Sequence, residues 1–403
     1  MFNKKLTVWK HIAFRSFTEM ISALRESGLV VATCFKPTKI VYRLSTDTIT
    51  FRMETNLMRH NQVSMSCLTI SIFIFHLLNK IGKYSAFVLL TTSIFCSAPC
   101  FGYDPVVALF DLEESHSIEI QSSHEGRVIP LLISLPGKKG RLPVILFSHG
   151  LGGSPSGYKY ARTYWTGKGY ATIFLQHPGS DETLLQGVSP SQAIRQLRNA
   201  ATLRNMNLRV DDVTDVLDAM RVWTTNKKSP FYGRIDTNNV GMAGHSMGAK
   251  TAQLMIGQQG WLSSPKKDRR IRAAVLMSPS SPSLQSAGSA FGAVTTPCPL
   301  LTGTRDSVPF LGNQSIDSRL AVFSALPSGN AYELVLHNAT HSAFSARLIR
   351  NDPLPNPKHH LAIQAITAAF WDAYLQGNKK ATIWLRNGGT KDVLEPQDSW
   401  QSK

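Results

Sequence analysis

Between Arg127 and Leu375, short apolar runs alternate with longer amphipathic stretches, and this alternation constrains the chain more than any other feature. Pro143-Val144-Ile145-Leu146-Phe147 is apolar without interruption. Such a run suits a strand covered on both faces. Arg127–Leu135, Ala171–Leu175, Asn239–Ala243, Ile271–Met277, Pro299–Gly303 and 331–337 read as further strands. Helices are expected over 158–168, 250–257, 315–325 and from about His359 to Leu375. The clearest helix follows Asp211 and Asp212, where Val213, Val216, Leu217, Met220 and Trp223 recur at helical spacing. The polar stretch 182–204 is expected to be irregular, and so is the Ser-, Gly- and Ala-rich stretch 278–296. Alternation of this kind gives an α/β fold, a mostly parallel central sheet with helices on both faces. Sites in such sheets form at the carboxyl ends of the strands.

The composition, 43% hydrophobic and 17% charged, is too apolar for disorder. A net charge of +17 invites a nucleic-acid reading, but the charge is uneven. Residues 1–102 carry 12 Lys and Arg against 4 Asp and Glu, leaving 31 against 22 over the other three quarters. No cluster interleaves aromatics with Arg, so no nucleic-acid partner is expected. A mildly basic surface leaves peripheral contact with an anionic membrane open. Of the five cysteines only Cys298 falls in the globular part, which supports neither a disulfide framework nor a zinc site.

Residues 68–78 and 84–95 are apolar runs separated by Asn79, Lys80, Gly82 and Lys83. Neither reaches the ~20 residues of a spanning helix. The second resembles a signal-peptide core, with cleavage expected near Gly102 and export as the result. The alternative is a membrane-anchored form that keeps residues 68–95. The expected division is a non-structural or mis-assigned start over 1–64, a targeting segment over 65–102 and a catalytic domain over 103–403.

Gly244-His245-Ser246-Met247-Gly248 lies between a strand and a helix. A nucleophile there must project from a turn too tight for neighbouring side chains, hence Gly244 and Gly248 beside Ser246. At a helix N-terminus, backbone N–H groups favour developing negative charge. Ser148-His149-Gly150-Leu151-Gly152-Gly153 follows an earlier strand and suits a second donor loop. The N–H groups of Leu151 and Met247 are the expected oxyanion donors, with Gly150 allowing close approach and His149 bracing the loop. A serine nucleophile needs a base and an orienting acid, in the order Ser, acid, His. Asp306, after strand 299–303, is the expected acid; Asp317 is the runner-up, placed rather for a helix first turn. His341, on a loop after strand 331–337, is the expected base, ahead of His337 at the strand end. His177, His359 and His360 show no metal-ligand spacing, so no metal and no cofactor is expected.

These residues resemble the platelet-activating-factor acetylhydrolase-like branch of the α/β-hydrolases and the bacterial predicted dienelactone hydrolases. The resemblance rests on Phe147–Gly152, Gly244–Gly248, Leu301–Asp306 and Ala339–Phe344, and spans roughly residues 105–385. It implies an α/β-hydrolase fold and ester hydrolysis through an acyl-enzyme without a cofactor. Two departures matter. The animal phospholipases carry their acid soon after the strand that follows the elbow, where this chain reads Met277-Ser278-Pro279-Ser280. True dienelactone hydrolases use a cysteine where this chain has Ser246. Polyester hydrolases share the general layout. The expected function is a serine hydrolase acting on a small-molecule or lipid-like carboxylic ester. The alternatives are an acyltransferase with the same triad and a non-catalytic binding protein on this fold.

Overall fold

The structure is a computed structural model that describes residues 38–45, 48–55 and 103–403, apart from 108, 125, 261–265, 309–313, 346–351 and 353–355. The apolar runs 68–78 and 84–95 and the expected cleavage site lie outside the described residues. The chain divides into two units, Met1–Phe95 and Cys96–Lys403. In the first, strands Thr38–Ser45 and Thr48–Thr55 pair antiparallel.

The second unit is built on one sheet of nine strands. These are β1 (Leu112–Gln121), β2 (Val128–Pro136), β3 (Leu142–Ser148), β4 (Ala171–Leu175), β5 (Ile235–His245), β6 (Ile271–Met277), β7 (Cys298–Arg305), β8 (Ala331–Thr340) and β9 (Ser399–Ser402). Their order across the sheet is β9-β8-β7-β6-β5-β3-β4-β2-β1. From β4 to β8 every pairing is parallel, and the antiparallel pairings lie at the two edges.

The helices are α1 (Lys159–Gly167), α2 (Pro190–Ala200), α3 (Leu203–Thr225), α4 (Met247–Met255), α5 (Ala287–Phe291), α6 (Ile316–Ala325), α7 (Pro357–Tyr374) and α8 (Lys379–Arg386). The period of two in β3 sorts its side chains between two cores. Val144 and Leu146 join α3, α4 and α6 on one face, while Ile145 and Phe147 join α1 and α7 on the other. Both faces are therefore dry, which is why β3 could be apolar throughout. Val213, Val216, Leu217 and Met220 of α3 are buried as their spacing predicts. This is the doubly covered, mostly parallel α/β sheet expected from the sequence.

The differences are local. The stretch 182–204 is not irregular throughout, because α2 occupies Pro190–Ala200. Its N-terminus is a capping box: Ser189 and Gln192 exchange side-chain and backbone hydrogen bonds, and Pro190 stands at the first helical position. The stretch 278–296 is interrupted by the short α5. Strand β8 runs on through Asn338-Ala339-Thr340, which the sequence places in a loop; its pairing with β7 breaks register there, and Asn338 takes φ 58°. Among the described residues, no helix is long and apolar enough to cross a membrane.

Candidate active site

Strand β5 ends at His245 and α4 begins at Met247, so Ser246 alone makes the turn. Its backbone sits at φ 57° and ψ −114°. That conformation costs a non-glycine residue about 1–3 kcal/mol and persists only when the surroundings enforce it. They do so by close approach. A Cβ on Gly244 would lie 2.1 Å from the Gly248 carbonyl oxygen, and one on Gly248 would lie 1.8 Å from that of Ser148. The turn is tied down by the Ser246 N–H on the Met277 carbonyl at 2.9 Å and the Lys250 N–H on the Ser246 carbonyl at 3.1 Å.

His341 and Asp306 meet beside this turn. His341 opens a one-turn 3-10 helix directly after β8, and Asp306 follows β7. The residues before them, Thr340 and Arg305, are paired across the two strands. His341 Nδ1–H donates to Asp306 Oδ1 at 2.7 Å. Thr302 Oγ1–H donates to the other carboxylate oxygen at 2.9 Å. The imidazole of His341 packs on that of His245, with ring centroids 4.6 Å apart, which brings it against the residue preceding Ser246.

Sequence reasoning missed Arg319. This wholly buried guanidinium of α6 lies 3.0 Å from Asp306 Oδ1. It also donates to the carbonyls of Asp306 at 2.7 Å, Ser278 at 2.7 Å and Pro279 at 3.0 Å. Its Nη2 stands 3.3 Å from His341 Nδ1, but that nitrogen's proton goes to Asp306, so this approach is packing between two donors. Burial alone would raise the Asp306 carboxyl; His341 and then Arg319 outweigh it and hold it at about 2. Burial and then His341 keep His245 well below the usual imidazole range, so it stays neutral next to His341.

The glycine loop Ser148–Gly153 faces the elbow. Gly150 N–H donates to the Tyr158 hydroxyl at 3.1 Å, and that hydroxyl lies 2.9 Å from His245 Nδ1. Tyr158, also missed, thereby ties the loop to the elbow. Among the described residues, the N–H groups of Leu151 and Met247 are donated to no acceptor. His149 contacts the loop itself, with Nδ1 2.6 Å from the Gly150 carbonyl.

The remaining candidates lie apart from this pair. Asp317 is exposed in the first turn of α6, whose N-cap is Ser315. His337 is half-buried, its N–H held by Asp398 and its carbonyl by His359 Nε2–H. His360 donates to the Ala343 carbonyl and stacks on Tyr160. His177 joins a second Ser–His–Asp chain: Ser148 Oγ is 2.9 Å from its Nε2, and its Nδ1 is 2.9 Å from Asp212 Oδ2. Ser148, His177 and Asp212 are each 0% exposed, so no ester reaches them, whereas Ser246 and His341 are 6% and 8% exposed.

A sheet in this strand order, with a strained serine between its fifth strand and the following helix, is an α/β-hydrolase fold. Within that fold, residues 196–349 match the family model described as PETase, PET hydrolase-like. The matched stretch contains Ser246, Asp306 and His341. No curated protein matches the chain.

Proposed function

We propose that this chain hydrolyses carboxylic esters through an acyl-enzyme formed on Ser246. The observation that carries the reading is the strained turn at Ser246 with the buried His341–Asp306 pair packed against it. The likeness to PET hydrolases supports an ester as the substrate.

In the first half-reaction His341 Nε2 takes the Ser246 hydroxyl proton as Oγ bonds to the ester carbonyl carbon. The carbonyl π electrons move to oxygen, and the N–H groups of Leu151 and Met247 receive that negative charge. Collapse of the tetrahedral species expels the alcohol, which leaves with the proton from His341. Water repeats the sequence and releases the acid. Asp306 accepts from Nδ1–H throughout, which fixes the tautomer that leaves Nε2 free and stabilises the imidazolium. Its ionised state is secured by the shift to about 2. His245, neutral beside His341, adds no competing charge.

The test is hydrolysis of p-nitrophenyl butyrate by the full chain and by Ser246→Ala. The variant is expected to lose roughly 10⁶-fold in kcat, with its circular dichroism unchanged. Equal rates in both would remove Ser246 from the reaction. Bis(2-hydroxyethyl) terephthalate belongs in the same assay, since the family match names a terephthalate polyester. Product analysis with added alcohols separates hydrolysis from acyl transfer.

A further inference from the structure

Beneath the loop Ser148–Gly153 lies a polar network that the reaction does not touch. Its centre is Arg209 of α3, a guanidinium only 1% exposed. It donates through Nη1 to the His149 carbonyl at 2.7 Å and through Nε to Ser180 Oγ at 2.9 Å. His149 Nε2 accepts the His177 N–H at 3.1 Å, so its proton sits on Nδ1 and goes to the Gly150 carbonyl at 2.6 Å. The Arg209 Nη2 found 3.1 Å from that Nδ1 is therefore a packing contact. Burial and then Arg209 keep both His149 and His177 neutral, which preserves this pattern of donors and acceptors. Asp212, held by two bonds from Arg127 at 2.9 and 3.0 Å, closes the network through His177. The backbone of the neighbouring loop completes it: Gly152 N–H reaches the Ser180 carbonyl, and Glu182 N–H reaches that of Gly153, each at 2.9 Å.

The geometry of one peptide unit gives this network a consequence. The Gly150 carbonyl and the Leu151 N–H belong to the same planar trans amide, so they point in opposite directions. The Gly150 carbonyl is pinned from inside by His149 Nδ1–H and by the Gly153 N–H at 3.0 Å. Holding it there turns the Leu151 N–H the other way, where it meets no acceptor among the described residues.

We propose that Arg209 is a positioning residue for the oxyanion donor: by gripping His149 it fixes the peptide plane that aims the Leu151 N–H. This rests on the ester-hydrolase reading above. Losing the aim of one donor should lower kcat by roughly 100-fold and leave ground-state binding little changed.

The test measures kcat and KM for p-nitrophenyl butyrate, and the affinity of an alkyl trifluoromethyl ketone whose hemiketal oxyanion occupies the same site. Full-length Arg209→Met, Arg209→Lys and Ser180→Ala are compared with the parent, with folded fraction read by circular dichroism. Arg209→Met is expected to lose about 100-fold in kcat and in ketone affinity together, with KM within about threefold. Arg209→Lys and Ser180→Ala should fall between it and the parent, and they serve if Arg209→Met does not fold. A merely structural role would lower activity only in proportion to the folded fraction and leave ketone affinity per folded molecule unchanged; that result overturns the proposal. A Ser246→Ala variant that still turns over would instead overturn the ester-hydrolase reading, and this proposal with it.

Discussion

Arg319 and His341 share one oxygen of Asp306, at 3.0 and 2.7 Å. The carboxylate thus balances two cations whenever His341 is protonated. Breaking a buried pair of this kind by removing one partner costs about 3–5 kcal/mol. Arg319→Met is expected to lose stability of that size, measured by urea unfolding, whereas a surface arginine would lose under 1 kcal/mol. Asp306→Asn puts an NH2 donor in place of one carboxylate oxygen, which lets His341 take the wrong tautomer, and kcat should fall by about 10⁴-fold with the fold retained. Neither Arg319 nor Arg209 was legible in the sequence. Each is one charged residue on a helix, and its meaning comes from burial against groups far away in the chain. Asp306 and His341 were legible because they follow apolar strands, where sites in such sheets form.

Strand β5, the turn at Ser246 and α4 act as a single element, since the turn is held by close backbone packing and by the hydrogen bonds of Ser246 to Met277 and Lys250. Gly248→Ala would drive a methyl group into the Ser148 carbonyl. It is expected to cost about 3 kcal/mol in urea unfolding, and to lower kcat beyond the loss of folded protein because the loop Ser148–Gly153 must move. Trp371 of α7 gives the contrast. It is fully buried on the far face of the sheet, edge-on to Trp165 at 6.0 Å between centroids. Trp371→Ala should cost about 3–5 kcal/mol and leave kcat per folded molecule unchanged. The elements most legible from sequence were β3 and β6, which are apolar runs, and α3, which has a strong hydrophobic period. Helix α2 was masked by its polar composition although its capping box was written as Ser189-Pro190-Ser191-Gln192. The edge strand β9 was hidden because four residues carry too little pattern, and β8 was read short because its register breaks near Asn338.

At the scale of the whole molecule, buried carboxylates couple the site to the stability of the fold. Asp306 is held at about 2 against an ordinary value of 3.8. A depressed carboxyl contributes stability that is complete above the unfolded value and is lost as pH falls through the folded one. The parent should therefore lose more stability than Asp306→Asn between about pH 4 and pH 2, read by urea unfolding at fixed pH. Equal losses would show that the site does not bear on acid unfolding. The fold class was legible at this scale because the alternation of strands and helices extends through most of residues 103–403. What a linear reading did not show was the buried chain Ser148–His177–Asp212 close to the candidate site at Ser246.

The central claim is that Ser246, and not Ser148, is the nucleophile, and a fluorophosphonate probe tests it directly. After labelling of the active full chain, proteolysis and mass spectrometry are expected to place the adduct on Ser246 alone. An adduct on Ser148, or an active protein with no adduct on Ser246, would contradict the assignment.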